Sequence, residues 1–287
     1  MIQCTMPLPY IAFHVGLSIL CTIVTLRIAK HNAARTTWAL IAFVVVVGGL
    51  AIERRNEWAW SAFNWGMPDL VYFINQSLLG ALVLTALMFS TAIGTWAKLR
   101  AIVLGLPLLG AALWSYSWLY EPAPPNLRGH VDKSGYCPQT SPDTCAAASA
   151  AMLLHSQGIK ATEQEMAALC LTRQHKGTTP LGLYRGLALK GAQRRCTPRE
   201  FKVSSPAQLR TPCIIEVGLA RNVSPNIAGR MKQYGWAPGV LHAVFIGKAD
   251  PHGKWIDVAD PSVGRERWPT KGIEYLWDGR EVTLDSP

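Results

Sequence analysis

Four apolar stretches occupy the first 120 residues and narrow the range of folds more than any other feature. They run from Pro9 to Leu26, Trp38 to Ile52, Leu70 to Trp96 and Ala101 to Leu119. Each approaches the ~20 residues that a helix needs to cross a bilayer, the second being short. Trp38, Trp58, Trp60, Trp65, Trp96 and Trp118 gather at the ends of these stretches, as an interfacial aromatic belt requires. The first stretch lacks the basic start and small-residue cleavage site of a signal peptide. His14, Asn75 and Gln76 lie at membrane depth and are read as interhelical hydrogen-bond partners. Residues 1–120 are therefore expected to form an all-α membrane domain of about four transmembrane helices.

Loop charge sets the expected orientation. Arg27, Lys30 and Arg35 lie between the first two stretches, and Lys98 and Arg100 between the last two. The middle loop offers only Arg54 and Arg55 as basic residues, and acids count for little here. The first and third loops then face the cytoplasm. Both termini, and the domain that follows, face the periplasmic or extracellular side of what is read as a bacterial inner membrane.

The remainder has a different composition. Of the formal charge of +10, residues 121–287 contribute +6, from 21 basic and 15 acidic side chains. The basic residues are scattered, with no long run and no interleaved aromatics. That argues against a nucleic-acid partner and agrees with attraction to an anionic lipid bilayer. Glu121 to Leu127 is a proline-rich linker that cannot continue a helix. After it, residues 128–287 are long enough to bury a core of their own.

Within that domain, helical patterns come first. Cys145 to Ser156 reads as one helix. Thr162-Glu163-Gln164-Glu165 is a capping box opening a second, to about Leu171. Thr179-Pro180 opens a third that stops at Lys190-Gly191. Strand patterns follow at Pro212 to Gly218, Val240 to Lys248 and Lys254 to Ala259, with a Gly- and Pro-rich excursion over Asn222 to Gly239. Asp250-Pro251-His252-Gly253 reads as the turn joining the last two strands. Helices followed by an antiparallel sheet make an α+β domain.

The chemistry is carried by the junction between Tyr136-Cys137-Pro138-Gln139-Thr140-Ser141-Pro142-Asp143-Thr144 and the helix that begins at Cys145. Thr144 or Asp143 can cap that helix. Cys145 then stands at the positive end of its dipole, which favours the thiolate. Gln139, six residues earlier, offers an amide donor where an oxyanion would form. A small buried cysteine is the competing explanation, and the partners decide between them. His242 lies inside Val240-Leu241-His242-Ala243-Val244-Phe245-Ile246, where a buried ring needs a partner. With the turn centred near residue 251, Asp260 falls directly opposite His242 on the same face of the hairpin. Asp257 differs from Asp260 by an odd number of positions and points to the other face. A zinc site is disfavoured, since neither a Cys-x-x-Cys nor a His-x-x-x-His pair occurs. No cofactor is expected.

Pro138, Gln139 and Cys145, the Thr162–Glu165 box, Gly177-Thr178, the Leu241-His242-Ala243-Val244 strand and Asp260-Pro261-Ser262-Val263-Gly264 together resemble the bacteriocin-processing cysteine peptidases, over about residues 128–280. The resemblance implies a papain-like fold and hydrolysis of leader peptides after a double glycine. It implies Cys145 as nucleophile, His242 as base, Asp260 as its orienter and Gln139 as oxyanion donor. Members of that family usually form the N-terminal domain of peptide-exporting ABC transporters. Here the membrane part precedes the domain, and no Gly-x-x-x-x-Gly-Lys-[Ser/Thr] phosphate loop occurs in the 287 residues. A membrane-held cysteine peptidase acting on an exported or membrane-emergent peptide is the resulting expectation, with a separate exporter as a further partner. A non-cleaving peptide-binding module and an acyl transferase with the same triad are the rival readings. Beyond Cys145, the domain holds Cys137, Cys170, Cys196 and Cys213, enough for two disulfides in an oxidising compartment.

Overall fold

The computed structural model describes residues 122–271 and 273–286, which belong to one unit, Pro122–Pro287. The four apolar stretches and their orientation lie outside the described residues. Among the described residues no helix is long and apolar enough to cross a membrane.

Three helices precede the sheet: α1 Cys145–Ser156, α2 Glu163–Leu169 and α3 Pro180–Gly191. Their starts follow local chemistry. Thr162 accepts from the Glu165 N–H and Thr179 from the Gly182 N–H, with Pro180 at the first position of α3. The box at α2 is only half closed. The Glu165 carboxylate reaches Lys190 of α3 at 2.5 Å rather than turning back to Thr162, so it ties two helices together. α2 also ends earlier than its pattern suggests, at Leu169.

The sheet has six antiparallel strands: β1 Thr197–Lys202, β2 Cys213–Gly218, β3 Leu241–Ala249, β4 Trp255–Asp260, β5 Gly264–Pro269 and β6 Arg280–Asp285. Their spatial order is β1-β6-β2-β3-β4-β5. A fourth helix, α4 Pro225–Lys232, fills the excursion before β3. The α+β order read from the sequence is the observed one, but β1, β5 and β6 were not legible. β1 and β5 are the two edges, and edge strands carry charge and proline that blunt further pairing, here Pro198, Arg199, Arg265, Glu266, Arg267 and Pro269. β6 is central but polar, and it buries Glu281 completely.

Two cores lie on opposite faces of this sheet. On one face α1 packs, and every residue from Ala146 to Leu154 is buried. Such a helix has no solvent face, which is why its sequence is unbroken and alanine-rich. It meets Ile214, Ala243, Phe245, Ala259 and Leu284 from the strands. On the other face Ile215, Val217, Val244, Ile246, Ile256 and Val258 pack against Ile273, Leu276 and Trp277. Along β3 and β4, Val244, Ile246, Ile256 and Val258 alternate onto this second face.

The expectation of disulfides is corrected. All five cysteines of the unit are free. Cys137, Cys170 and Cys196 belong to the helix-side core whereas Cys213 belongs to the other, so the sheet stands between them. The linker also takes part in the domain: Leu127 is buried in the helix-side core, and the carbonyl of Pro122 accepts from the Gln174 N–H at 3.0 Å.

Candidate active site

Cys145 is the first residue of α1 and is partly exposed. One turn further on, the buried Ser149 donates its hydroxyl to the carbonyl of Ala243 at 3.1 Å. That bond fixes the helix against β3 at the residue next to His242. The expected cap on α1 is absent. No side chain caps it, because the Thr144 hydroxyl is turned to the Glu163 carboxylate at 2.5 Å and lies 2.8 Å from the Ser141 carbonyl. The free N–H groups of the first turn are left to whatever anion forms at Cys145.

His242 stands near the start of β3, between two partners. Its Nε2 donates to Asp260 Oδ1 at 2.8 Å, and Cys145 acts on the same ring through a hydrogen bond and its charge. Burial alone would pull the imidazole down. The hydrogen bonds to Asp260 and Cys145, with the charges on both, outweigh it and push the ring up to about 9. Asp260 is buried, which raises its carboxyl, but the bonds from His242 and Ser262 hold it below the ordinary carboxylate value. All three donors converge on Oδ1, since the Ser262 N–H reaches it at 2.8 Å and the Ser262 hydroxyl at 2.7 Å. The two directions agree: the geometry favours imidazolium beside carboxylate.

The register differs from the expected one. β3 and β4 pair Phe245 with Ala259 and Ile246 with Val258, and a bulge at Gly247 shifts the rest to Lys248 with Asp257. The turn centre is therefore near residue 252 rather than 251, with the Asp250 N–H closing it onto the Trp255 carbonyl. Asp260 sits diagonally from His242, not opposite. Because the displacement is two residues, the faces are unchanged and the side chains still meet. Asp257 does point away: it pairs with Arg267 at 2.9 Å on β5.

Gln139 is on the loop before α1, and its backbone N–H donates to the Pro261 carbonyl at 2.9 Å. Its side-chain Nε2 gives one hydrogen to the Ser141 carbonyl at 3.1 Å. A second amide hydrogen is left over. Tyr136 reaches across to the same strand end, with its hydroxyl 3.0 Å from the Asp260 carbonyl and 3.2 Å from that of Pro261. Gly177 comes near the Asp143 carbonyl, so the Gly177-Thr178 turn borders the loop that leads into Cys145.

Sequence reasoning assigned no role to Ser149, Tyr136 or Ser262. Ser262 had a usable signal, an Asp-Pro-Ser turn in which a serine two residues after an aspartate can bond back to it. The other two depend on contacts between distant elements and had none. Beside the site, a cleft of about 540 Å³ extends from Asp260 along Val263, Trp236, Trp268 and Tyr234. Among the described residues no group of His, Cys, Asp and Glu could hold a metal ion.

No protein-family model matches the chain, and no curated protein does. Solved structures do. A double glycine motif protease from an AMS/PCAT transporter, crystallised with a leader peptide, is 17% identical with a TM-score of 0.40, covering 58% of this chain and 99% of that one. The peptidase domain of Streptococcus ComA, a bi-functional ABC transporter of a quorum-sensing pathway, is 18% identical at 0.39, over 52% and 96%. The N-terminal peptidase C39 like domain of a toxin secretion ATP-binding protein from Vibrio parahaemolyticus is 10% identical at 0.35, over 50% and 98%. The structural neighbours are thus peptidase domains, one named for a double glycine motif and two named as parts of transporters.

Proposed function

We propose that this chain is a membrane-anchored cysteine peptidase that cleaves a peptide or leader sequence. The observation that carries the reading is His242 held between two partners, its Nε2 2.8 Å from Asp260 Oδ1 and its ring raised by Cys145 as well. A core histidine needs one partner; this one has a nucleophile and an acid on opposite sides.

In the proposed reaction Cys145, its thiol proton already resting on His242, attacks the peptide carbonyl carbon as a thiolate. The carbonyl oxygen becomes an oxyanion held by the Cys145 backbone N–H and by the spare amide hydrogen of Gln139. Collapse breaks the C–N bond, with His242 returning its proton to the departing amine, and an acyl-enzyme remains. Water, losing a proton to His242, then attacks the acyl carbon and releases the acid and the thiol. The cleft beside Asp260 is long and aromatic enough to take the side chains of an extended peptide. The four apolar stretches support anchoring in a lipid bilayer, with the peptidase outside the cytoplasm and the peptide supplied by a separate exporter.

The test uses the full-length chain in membranes. Iodoacetamide labelling at neutral pH, mapped by peptide, is compared between wild type, Cys145→Ala and His242→Ala. Rapid labelling confined to Cys145 and strongly slowed by His242→Ala is expected. Labelling at the rate of an ordinary thiol, indifferent to His242, overturns the reading.

A further inference from the structure

Glu163 opens α2, where an acid in the first turn is unremarkable in sequence terms. Its position in the fold is less ordinary. The side chain is fully buried and belongs to no ion pair among those described. Burying a carboxylate away from water is costly unless hydrogen bonds replace the lost hydration.

Four donors do so, and three of them come from the loop that leads into Cys145. The Gly129 N–H reaches Oε2 at 2.8 Å. The Thr140 N–H reaches Oε1 at 2.6 Å, and the Thr140 hydroxyl reaches Oε2 at 2.5 Å. The Thr144 hydroxyl reaches Oε1 at 2.5 Å. The Glu163 N–H in turn donates to the Gly129 carbonyl at 3.0 Å. Thr140 follows Gln139 and Thr144 precedes Cys145, so one carboxylate grips the loop on both sides of the interval that separates oxyanion donor from nucleophile. The fit leaves no slack: a Cβ on Gly129 would lie 2.3 Å from the Pro138 carbonyl and 2.7 Å from Glu163 Oε2.

We propose that Glu163 is a positioning residue of the peptidase site, setting the distance and aim of the Gln139 amide relative to the Cys145 sulfur. It touches neither substrate nor reacting atoms and acts only through Thr140 and Thr144. The inference rests on the peptidase reading. It assigns Glu163 to the oxyanion side of the site and not to the activation of the thiol, which belongs to His242 and Asp260 on the other side.

Glu163→Gln keeps the shape but sets an NH2 donor against groups that are themselves donors, so the loop must shift. Two probes applied to the full-length chain in membranes separate the two sides of the site. Iodoacetamide alkylation forms an S–C bond with loss of iodide and develops no oxyanion, so it reads the thiol alone. The aldehyde of a short peptide ending in two glycines adds the Cys145 sulfur across its C=O bond, and the resulting hemithioacetal oxygen occupies the oxyanion position. Glu163→Gln is expected to weaken aldehyde affinity at least about tenfold, as a misplaced donor does. The Cys145 alkylation rate and its pH profile should stay within about twofold of wild type, by the same separation of roles. Glu163→Gln combined with Gln139→Ala should be no weaker toward the aldehyde than Gln139→Ala alone, because both remove one interaction.

Unchanged aldehyde affinity overturns the proposal, and so does a parallel loss in both probes, which marks a general structural role. If Glu163→Gln fails to accumulate in membranes, Thr140→Val, which removes one hydroxyl donor and keeps the N–H, is read by the same two criteria. A wild type whose Cys145 reacts no faster than an ordinary thiol, without dependence on His242, overturns the peptidase reading itself. A normal wild type with an indifferent Glu163→Gln overturns only the present one.

Discussion

Asp260 meets His242 across a diagonal of the β3–β4 hairpin: extending the Phe245–Ala259 register by one residue sets Asp260 across from Val244, yet its Oδ1 lies 2.8 Å from His242 Nε2. Direct opposition would put the two Cβ atoms about 5 Å apart, whereas the diagonal leaves room for an imidazole to lie along the strand end. The diagonal also brings Ser262, just past the end of β4, onto the same oxygen.

Replacing Asp260 by Asn keeps that shape and removes the charge. The carboxylate is one of the two partners that hold the His242 proton, so the ring's titration should move down from about 9. Peptide cleavage should fall about 10²-fold or more, the usual contribution of a general acid–base group. Turnover measured together with the His242 titration by NMR checks both; an unmoved titration removes Asp260 from its role.

Gln139→Ala should leave the fold intact, because the tie to Pro261 runs through the backbone N–H. The side chain supplies only its bond to Ser141 and the spare amide hydrogen. Loss of one oxyanion donor lowers turnover about 10²- to 10³-fold elsewhere, and the same range is expected here with substrate affinity little changed. A variant that cleaves at the wild-type rate would show that the oxyanion is held by backbone alone.

Selective labelling should follow from the surroundings of the other thiols. Burial pushes Cys137 and Cys170 up to about 12, and Cys213 well above its ordinary value, so all three stay protonated and shielded at neutral pH. Modification of the described unit by excess iodoacetamide is expected at Cys145, with no more than traces at Cys137, Cys170 or Cys213 until the protein unfolds. Comparable labelling of Cys137 or Cys213 in the native protein would falsify this account of their burial.

How much of this was legible depended on the range of the interactions. α1, α3, β2, β3 and β4 stand in the sequence because each has its own period and punctuation: a cap or proline at the start, a glycine or turn at the end. The pairing of His242 with Asp260 was recoverable because hairpin geometry is local and parity survives a two-residue error. The Gly247 bulge was not, since nothing in Phe245-Ile246-Gly247-Lys248 separates a bulge from a regular strand. The Thr144 cap was misread for a similar reason. Its hydroxyl has a competing acceptor in Glu163, 19 residues away, and capping rules consider only the local backbone. Edge strands β1 and β5 stayed hidden because the charges that protect an edge erase its hydrophobic alternation.

pH dependence follows from the direction of the His242 shift. Its folded value, about 9, lies above its ordinary 6.5, so the folded state holds a proton that the unfolded chain has lost at intermediate pH. The stabilisation is complete below about 6.5 and is lost as pH rises through about 9. Cleavage should weaken over the same upper limb, since the leaving amine needs the imidazolium proton. Thermal unfolding and turnover from pH 6 to 10, with His242→Ala as control, test this. A stability profile with the same alkaline fall in the control assigns the loss to another group.

A seam joins the two loops of the site. Tyr136 and the Gln139 N–H both approach the Pro261 carbonyl, so the oxyanion loop and the end of β4 share one acceptor. Burial pushes the Tyr136 phenol above its ordinary value, so the group is a neutral O–H donor throughout the working range. Tyr136→Phe keeps the ring packed against the helix-side core and deletes only this donor. It should destabilise the domain by about 1 kcal/mol, the net worth of an ordinary hydrogen bond. Because the Gln139 N–H bond remains, cleavage should fall less than tenfold, well short of Gln139→Ala. Denaturant unfolding beside turnover reads the two effects separately. A loss of cleavage as large as that of Gln139→Ala, with stability unchanged, would mean that Tyr136 meets the substrate and not merely the loop behind it.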